Sequence, residues 1–259
     1  RYSAARLDAV SAIGDLAKDH CCDFVLVCGD VFESNHVDRQ VIVRALEALN
    51  SYTVPVYLMP GNHDPLDPSS VYHFHSFTSS KPDHVKVIES SEAIEVLDGV
   101  QIIGAPWFSK EPLMDLVGKS YEGLVAEEGV TRIVSGHGIV NTMSPDHDNP
   151  AVIQVDEVEN AIRAGVLDYL ALGDRHSLTK IGDTERIWYS GTPEPTDFDE
   201  VAPGKVLLVS LDGGMCSVEP VQIGKWRFVD QSFELNGWED LQLLESWFDD
   251  QPSKDRTIV

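Results

Sequence analysis

Four glycine-led turns carry the side chains best suited to chemistry in this 259-residue chain. They read Gly29-Asp30, Gly61-Asn62-His63-Asp64, Gly136-His137-Gly138 and Gly173-Asp174-Arg175-His176. Asp, Asn and His offer oxygen and nitrogen lone pairs, a donor set for Mn, Fe, Zn or Mg and not for a soft thiolate-bound ion. Glycine ahead of each polar residue lets the backbone turn sharply and approach a ligand closely. Any one of these turns alone is ordinary: Gly-Asp after a strand is commonly a turn, and Gly-His-Gly commonly a loop. Asn62-His63-Asp64 is less ordinary, because three functional groups share one tight turn. Four such turns at equivalent places point to a metal site.

The equivalence comes from the elements before them. Phe24–Cys28, Val54–Met59, Ile133–Ser135 and Tyr169–Leu172 are continuous apolar runs, suited to strands buried on both faces. Sites in open α/β sheets form outside the carboxyl ends of strands, where all four turns fall. Helical spacing predicts helices over 3–19, 38–49, 112–127, 156–163 and 238–249. In the first, Ser3 is the expected cap and Leu7, Val10, Ile13, Gly14 and Ala17 the apolar face. Shorter strands fit 85–88, 93–97 and 100–104. From 186 onward the pattern turns to strands alone, at 186–190, 204–211, 215–222 and 226–234. Alternation first and antiparallel strands later predict a mixed α/β sandwich. Gly224 and Asn236-Gly237 mark an expected boundary near 224–236.

Composition narrows the partners. With 19 Lys+Arg against 43 Asp+Glu the formal charge is −24. That argues against a polyanion held by bulk electrostatics, since nucleic-acid binders normally present Lys and Arg to phosphates. A 42% hydrophobic content excludes disorder as the main state. No apolar run is long enough to span a bilayer, and none reads as a signal peptide, so no membrane partner is expected; the reduced-thiol reading of the cysteines makes the expected location cytoplasmic. Cys21, Cys22, Cys28 and Cys216 lack disulfide spacing and read as reduced, small core residues. The chain begins at Arg1 and ends on the strand-like Thr257-Ile258-Val259, and is expected to be part of a longer protein. His36, His73, His75, His84 and His147 read as loop surface residues. His20 sits at the end of the first helix, where a cation is mildly favourable.

Gly29-Asp30, Gly61-Asn62-His63-Asp64, Gly136-His137 and Gly173-x-x-His176 resemble motifs two to five of the calcineurin-like metallophosphoesterases, over residues 1 to about 224. Within that superfamily the sequence is most similar to the SbcD-type DNA-repair exonucleases. Val54–Asp64, Gly104-Ala105-Pro106-Trp107 and Tyr189–Pro195 carry the narrower likeness. The resemblance implies an αββα sandwich of mixed sheets, with residues 225–259 as a linker and the start of a capping region. It also implies two divalent ions, Mn foremost, with Mg, Fe or Zn as alternatives. Asp30 would bridge both ions. Asn62, His137 and Asp174 would hold the second, and His176 the first. Two ions about 3.5–4 Å apart clamp a phosphate and activate water at neutral pH. His63 would face the scissile phosphate and either stabilise the transition state or protonate the leaving oxygen. DNA, an SbcC-like coiled-coil ATPase and a second copy of the chain are the partners implied.

Three departures from the family pattern bear on function. The family's opening strand and its Asp-x-His motif are missing from this chain and should precede residue 1. Asp174 stands where the family usually has His, which favours harder ions such as Mn or Mg over Zn. Glu33 stands where the family's nucleases carry His; phosphatases place a carboxylate there, which orients the catalytic His. A phosphatase or phosphodiesterase of nucleotides or phosphoproteins is therefore the alternative enzyme. A degenerate phosphoesterase fold that only binds a partner is the third reading. Trp107 with Phe108 reads as core before base-stacking, and Asp146, Asp148 and Asp197–Glu200 read as solvated acidic loops.

Overall fold

The computed structural model describes residues 1–146 and 148–259; the expectation for His147 lies outside them. Helix α1 (Tyr2–Asp19), strand β1 (Val25–Cys28), helix α2 (Arg39–Leu49) and strand β2 (Val56–Met59) open the chain. A single 3-10 turn and the short α3 (His75–Thr78) lead to β3 (Val85–Val87). Then come β4 (Ile94–Leu97), β5 (Val100–Gly104), α4 (Leu116–Ser120), β6 (Thr131–His137) and α5 (Val155–Arg163). Next are β7 (Tyr169–Gly173), β8 (Thr179–Ile181), β9 (Ile187–Tyr189) and the hairpin of β10 (Lys205–Asp212) with β11 (Met215–Gln222). The chain closes with β12 (Arg227–Phe228), α6 (Trp238–Asp249) and β13 (Thr257–Ile258).

Two sheets stack face to face. The first is parallel, in the order β1-β2-β3. The second is mixed, in the order β4-β5-β6-β7-β9-β8, with antiparallel strands at its edges. Side-chain alternation assigns the layers. On β2, Val56 and Leu58 pack against Ile42 and Leu46 of α2, while Tyr57 and Met59 face Ile102 of β5. On the far side, Ile103, Val134, Leu170 and Leu172 pack against Val117 of α4 and Val155 and Val158 of α5. The layers therefore run helix, sheet, sheet, helix, as expected. Among the described residues no helix is long and apolar enough to cross a membrane.

Several local expectations change. Helix α1 starts at Tyr2, so Ser3 lies inside it and does not cap it. The helix predicted over 112–127 shrinks to α4, because Asp115 caps it at Gly118 and Gly123 adopts φ +78° soon after. The strand predicted over 226–234 is the two-residue β12. Strand β8 was not foreseen. Both faces of β1 pack on the core, Val25 and Val27 on the α2 side and Leu26 on the other, but its residues are only half-buried, because β1 pairs only with β2 among the described residues and one of its edges has no strand beside it. His73 and His75 lie in helical turns, and the half-buried His84 contacts the Leu49 carbonyl at 3.0 Å. All four cysteines are free, but Cys21 is exposed and Cys22, Cys28 and Cys216 are only half-buried. The Cys28 thiol is pushed up to about 11 by burial.

One buried carboxylate ties α5 to the β8–β9 turn. Glu159 is 5% exposed and accepts from the amides of Asp183 (2.5 Å) and Thr184 (2.9 Å) and from Arg163 (2.9 Å). Burial pushes its pKa up, but the two amides and Arg163 outweigh that and hold it low. A depressed carboxylate stabilises the fold above its unfolded pKa, and that contribution is lost as pH falls through the folded value. Glu159→Gln is expected to cost about 1–3 kcal/mol at neutral pH, the range for a hydrogen-bonded charge. The difference should vanish in acid well below the carboxylate range. Urea midpoints of parent and variant at the two pH values check both points.

Candidate metal centre

Strand register brings the four turns together. Cys28 pairs with Met59 in the first sheet, which sets Asp30 beside the turn at Gly61. His137 pairs with Gly173 in the second sheet, which sets Asp174 beside His137. Strand β1 packs across β6 and β7, closing the two pairs onto one spot. Gly173 makes that closure possible: a Cβ there would lie 1.8 Å from the Cys28 carbonyl oxygen. Gly29, at φ +97°, would place a Cβ 2.1 Å from His137 Nδ1. Asp30 and Asp174 themselves take positive φ, at 53° and 90°. Strain of this kind gathers where a site over-determines the backbone.

Asp30, His137 and Asp174 each point a ligand-type atom inward, all within 4.8 Å of one another. His137 Nε2 lies 3.2 Å from Asp30 Oδ2, 3.8 Å from Asp174 Oδ1 and 2.7 Å from Asn62 Oδ1. Its other nitrogen, Nδ1, lies 2.8 Å from the Cys28 carbonyl, which can only accept. Nδ1 therefore carries a proton, and in the neutral ring Nε2 turns its lone pair to the cluster. Two carboxylates, an amide oxygen and an imidazole nitrogen thus converge. Turned over, the Asn62 amide would donate to His137 Nε2 (2.7 Å) and to both Asp30 oxygens (3.2 and 3.0 Å). As it stands, its oxygen completes an all-acceptor set, which a single cation satisfies and a proton on Nε2 satisfies only in part. The residues fit a hard or borderline divalent ion.

The electrostatics agree. Burial pushes the Asp30 carboxyl up, but the His137 ring, in its form protonated on Nε2, and the His63 amide both donate to it, outweigh burial and leave the group low. Burial pushes His137 down, and the Asp30 carboxylate more than reverses this. Asp174 is raised by burial, helped by the neighbouring Asp30 charge. The centre concentrates negative potential in a half-buried hollow.

His63 stands at the lip, with 46% of its side chain exposed. Its backbone amide donates to Asp30 Oδ1 at 2.9 Å, which ties its position to the cluster. Its Nδ1 lies 3.0 Å from the Glu33 backbone carbonyl, and 3.8 Å from the exposed Glu33 carboxylate. The carbonyl, not the carboxylate, makes the closer contact. Asp64 does not join Glu33 on the rim. It is fully buried, accepting from the Gly61 amide (2.8 Å), the Phe32 amide (3.0 Å) and the Tyr72 hydroxyl (2.7 Å). That bond set pins the Gly61–Asp64 turn to the loop after β1. His176 is not within the Asp30, His137 and Asp174 cluster; its Nδ1 faces Thr196 and Glu200. Glu200 was expected to be solvated, yet its side chain is 4% exposed.

Two residues of the narrower sequence likeness brace the centre. Trp107 Nε1 donates to the His137 carbonyl at 2.9 Å, and the Tyr189 hydroxyl to the Gly138 carbonyl at 2.7 Å. Glu194, buried from solvent, accepts from the amides of Lys225 and Trp226 and fastens the C-terminal segment to the sandwich. Sequence reasoning had assigned Glu194 no task.

A family model of calcineurin-like phosphoesterases matches residues 4–177, well over half of the chain. The chain belongs to the calcineurin-like phosphoesterase family. This calcineurin-like phosphoesterase shares its fold with the protein TT1561 of Thermus thermophilus, at 10% identity and a TM-score of 0.52. The likeness covers 85% of this chain and 94% of that one. A second solved structure is similar at 13% identity and a TM-score of 0.50, over 85% of this chain and 95% of its own. No curated protein matches. The family is one of metal-dependent phosphoester hydrolases, in keeping with the donor set around His137.

Proposed function

We propose that this calcineurin-like phosphoesterase cleaves phosphodiester bonds with two divalent ions, Mn foremost, and that DNA is its substrate. The observation that carries the hydrolase reading is the all-acceptor convergence of Asp30, Asn62, His137 and Asp174 beneath an exposed His63. Divalent ions there would polarise a phosphoryl oxygen and make water acidic enough to attack at neutral pH. Asp30 is assigned to both ions, with Asn62, His137 and Asp174 completing the second and His176 serving the first. His63 keeps the Nδ1 proton on the Glu33 carbonyl, which leaves Nε2 to exchange a proton with substrate. As imidazolium, it would donate that proton to the leaving oxygen as the P–O bond breaks.

The DNA reading rests on the SbcD-like runs, whose Trp107 and Tyr189 hold the His137 loop. A charge of −24 leaves the chain unable to draw in a polyanion unaided. The basic groove is therefore assigned to a partner, an SbcC-like coiled-coil ATPase, or to a capping region beginning within 225–259. A homodimer and a cytoplasmic location complete this reading. The nearness of the Glu33 carboxylate to His63 favours a phosphatase as the second reading. Incubation of the protein with Mn and either linear duplex DNA or p-nitrophenyl phosphate decides between them. Mn-dependent shortening of DNA is the expected result. Rapid monoester turnover with intact DNA would establish the phosphatase instead. Failure to retain any divalent ion would leave only a binding role.

A further inference from the structure

Beside Asp174 lies a pocket of about 320 Å³ whose wall includes His176 and Glu200. Within it, His176 Nδ1 has two neighbours: Thr196 Oγ1 at 2.6 Å and Glu200 Oε1 at 3.1 Å. Thr196 Oγ1 is itself 2.5 Å from Glu200 Oε1, and the Thr196 amide donates to Glu200 Oε2 at 2.9 Å. A hydroxyl has one proton to give. A carboxylate can take that proton in a hydrogen bond but has none to offer. The Thr196 proton therefore goes to Glu200, and toward His176 the same oxygen can only accept. Both neighbours of Nδ1 are acceptors, so Nδ1 carries the proton. In the neutral ring Nε2 is then bare.

We propose that Glu200 and Thr196 are positioning residues that lock His176 in the Nδ1–H form, so that Nε2 is the face offered to a divalent ion. The inference rests on the assignment of His176 to the first ion under the proposed function. His137 is treated in the same way by a different acceptor, the Cys28 carbonyl at 2.8 Å. In both cases an acceptor on the far nitrogen fixes the tautomer and the ring plane, which is how ligating histidines are generally held. Burial of Glu200 strengthens the lock. A carboxylate 4% exposed must find its hydrogen-bond donors within the fold, here the Thr196 amide, the Thr196 hydroxyl and the His176 ring. The neighbouring Asp197 and Asp199 are exposed and make no such contact with His176.

Long-range proton–nitrogen NMR correlations of the metal-free protein, taken where the imidazole is neutral, read the tautomer directly. The parent is expected to show His176 as Nδ1–H; an Nε2–H ring would overturn the proposal without any variant being made. In Glu200→Ala the Thr196 hydroxyl loses its acceptor and turns to donate to Nδ1. His176 is then expected to shift to Nε2–H, and affinity for the weaker of two Mn ions to fall about 10–100-fold, as loss of an orienting partner does. In Thr196→Val, Glu200 still receives the Nδ1 proton, so the tautomer should hold. An unchanged tautomer in Glu200→Ala overturns the proposal and leaves the metal assignment standing. Parent-like Mn binding by His176→Ala removes His176 as a ligand, and the proposal's metal half with it.

Discussion

Asp30→Asn is expected to lose divalent-ion binding by more than about 100-fold and, with it, all hydrolysis. That bound lies beyond the 10–100-fold typical of removing a partner one step further from the ion. Asn is the informative replacement. Asp30 sits at φ 53°, and Asn tolerates this left-handed conformation better than Ala does. The side chain keeps its shape and can still accept from the His63 amide, now 2.9 Å from Asp30 Oδ1. What changes is charge. Asp30 is the carboxylate held low by its bond to His137, and it lies 3.2 Å from Nε2 at the middle of the acceptor set. Without it the set contains a single carboxylate, Asp174, whose own pKa burial has raised. Isothermal titration with Mn, alongside a thermal melt to show the variant folds, gives the answer. Parent-like Mn affinity in a folded Asp30→Asn protein would remove Asp30 from the centre.

The four turns were legible in the sequence because each couples an apolar strand to glycine and then to a hard ligand within four residues. That pattern is local, and the chain carries it in plain order from Gly29 to His176. The layering was legible for a related reason: alternate residues of Val56–Met59 must face opposite sides, though a run apolar throughout does not say which side is which. What could not be read were contacts made across long separations. Asp64 follows Asn62 and His63 in the same turn, and nothing local says that it turns inward. It is buried because Phe32 and Tyr72, from two other loops, bring donors to it. Glu200 looked like the end of an acidic run. It is buried because Thr196 turns back on it and His176 arrives from β7. The helix expected over 112–127 failed on local chemistry that periodicity overlooks, a cap at Asp115 and glycines at 118 and 123. Strand β8 was missed because Thr179–Ile181 is too short to show alternation.

The second large effect separates chemistry from binding. His63→Ala is expected to lower turnover about 10²–10⁴-fold, the usual contribution of a positioned general acid, with Mn affinity unchanged. The ring is nearly half exposed, and its recorded partners are the Glu33 carbonyl and carboxylate, so its removal opens no cavity in the core. The backbone amide that ties residue 63 to Asp30 Oδ1 survives the substitution. The ligand set around His137 therefore stays intact, in contrast to Asp30→Asn, where affinity and turnover fall together. Glu33→Gln supplies the control on the ring's partner. Because the Glu33 carbonyl makes the 3.0 Å contact and the carboxylate stands at 3.8 Å, this change should cost far less than loss of the imidazole. Turnover by Glu33→Gln as poor as that of His63→Ala would show that the carboxylate, and not the carbonyl, sets the proton on Nδ1. A fall in Mn affinity in His63→Ala would instead make residue 63 part of the ion's own shell.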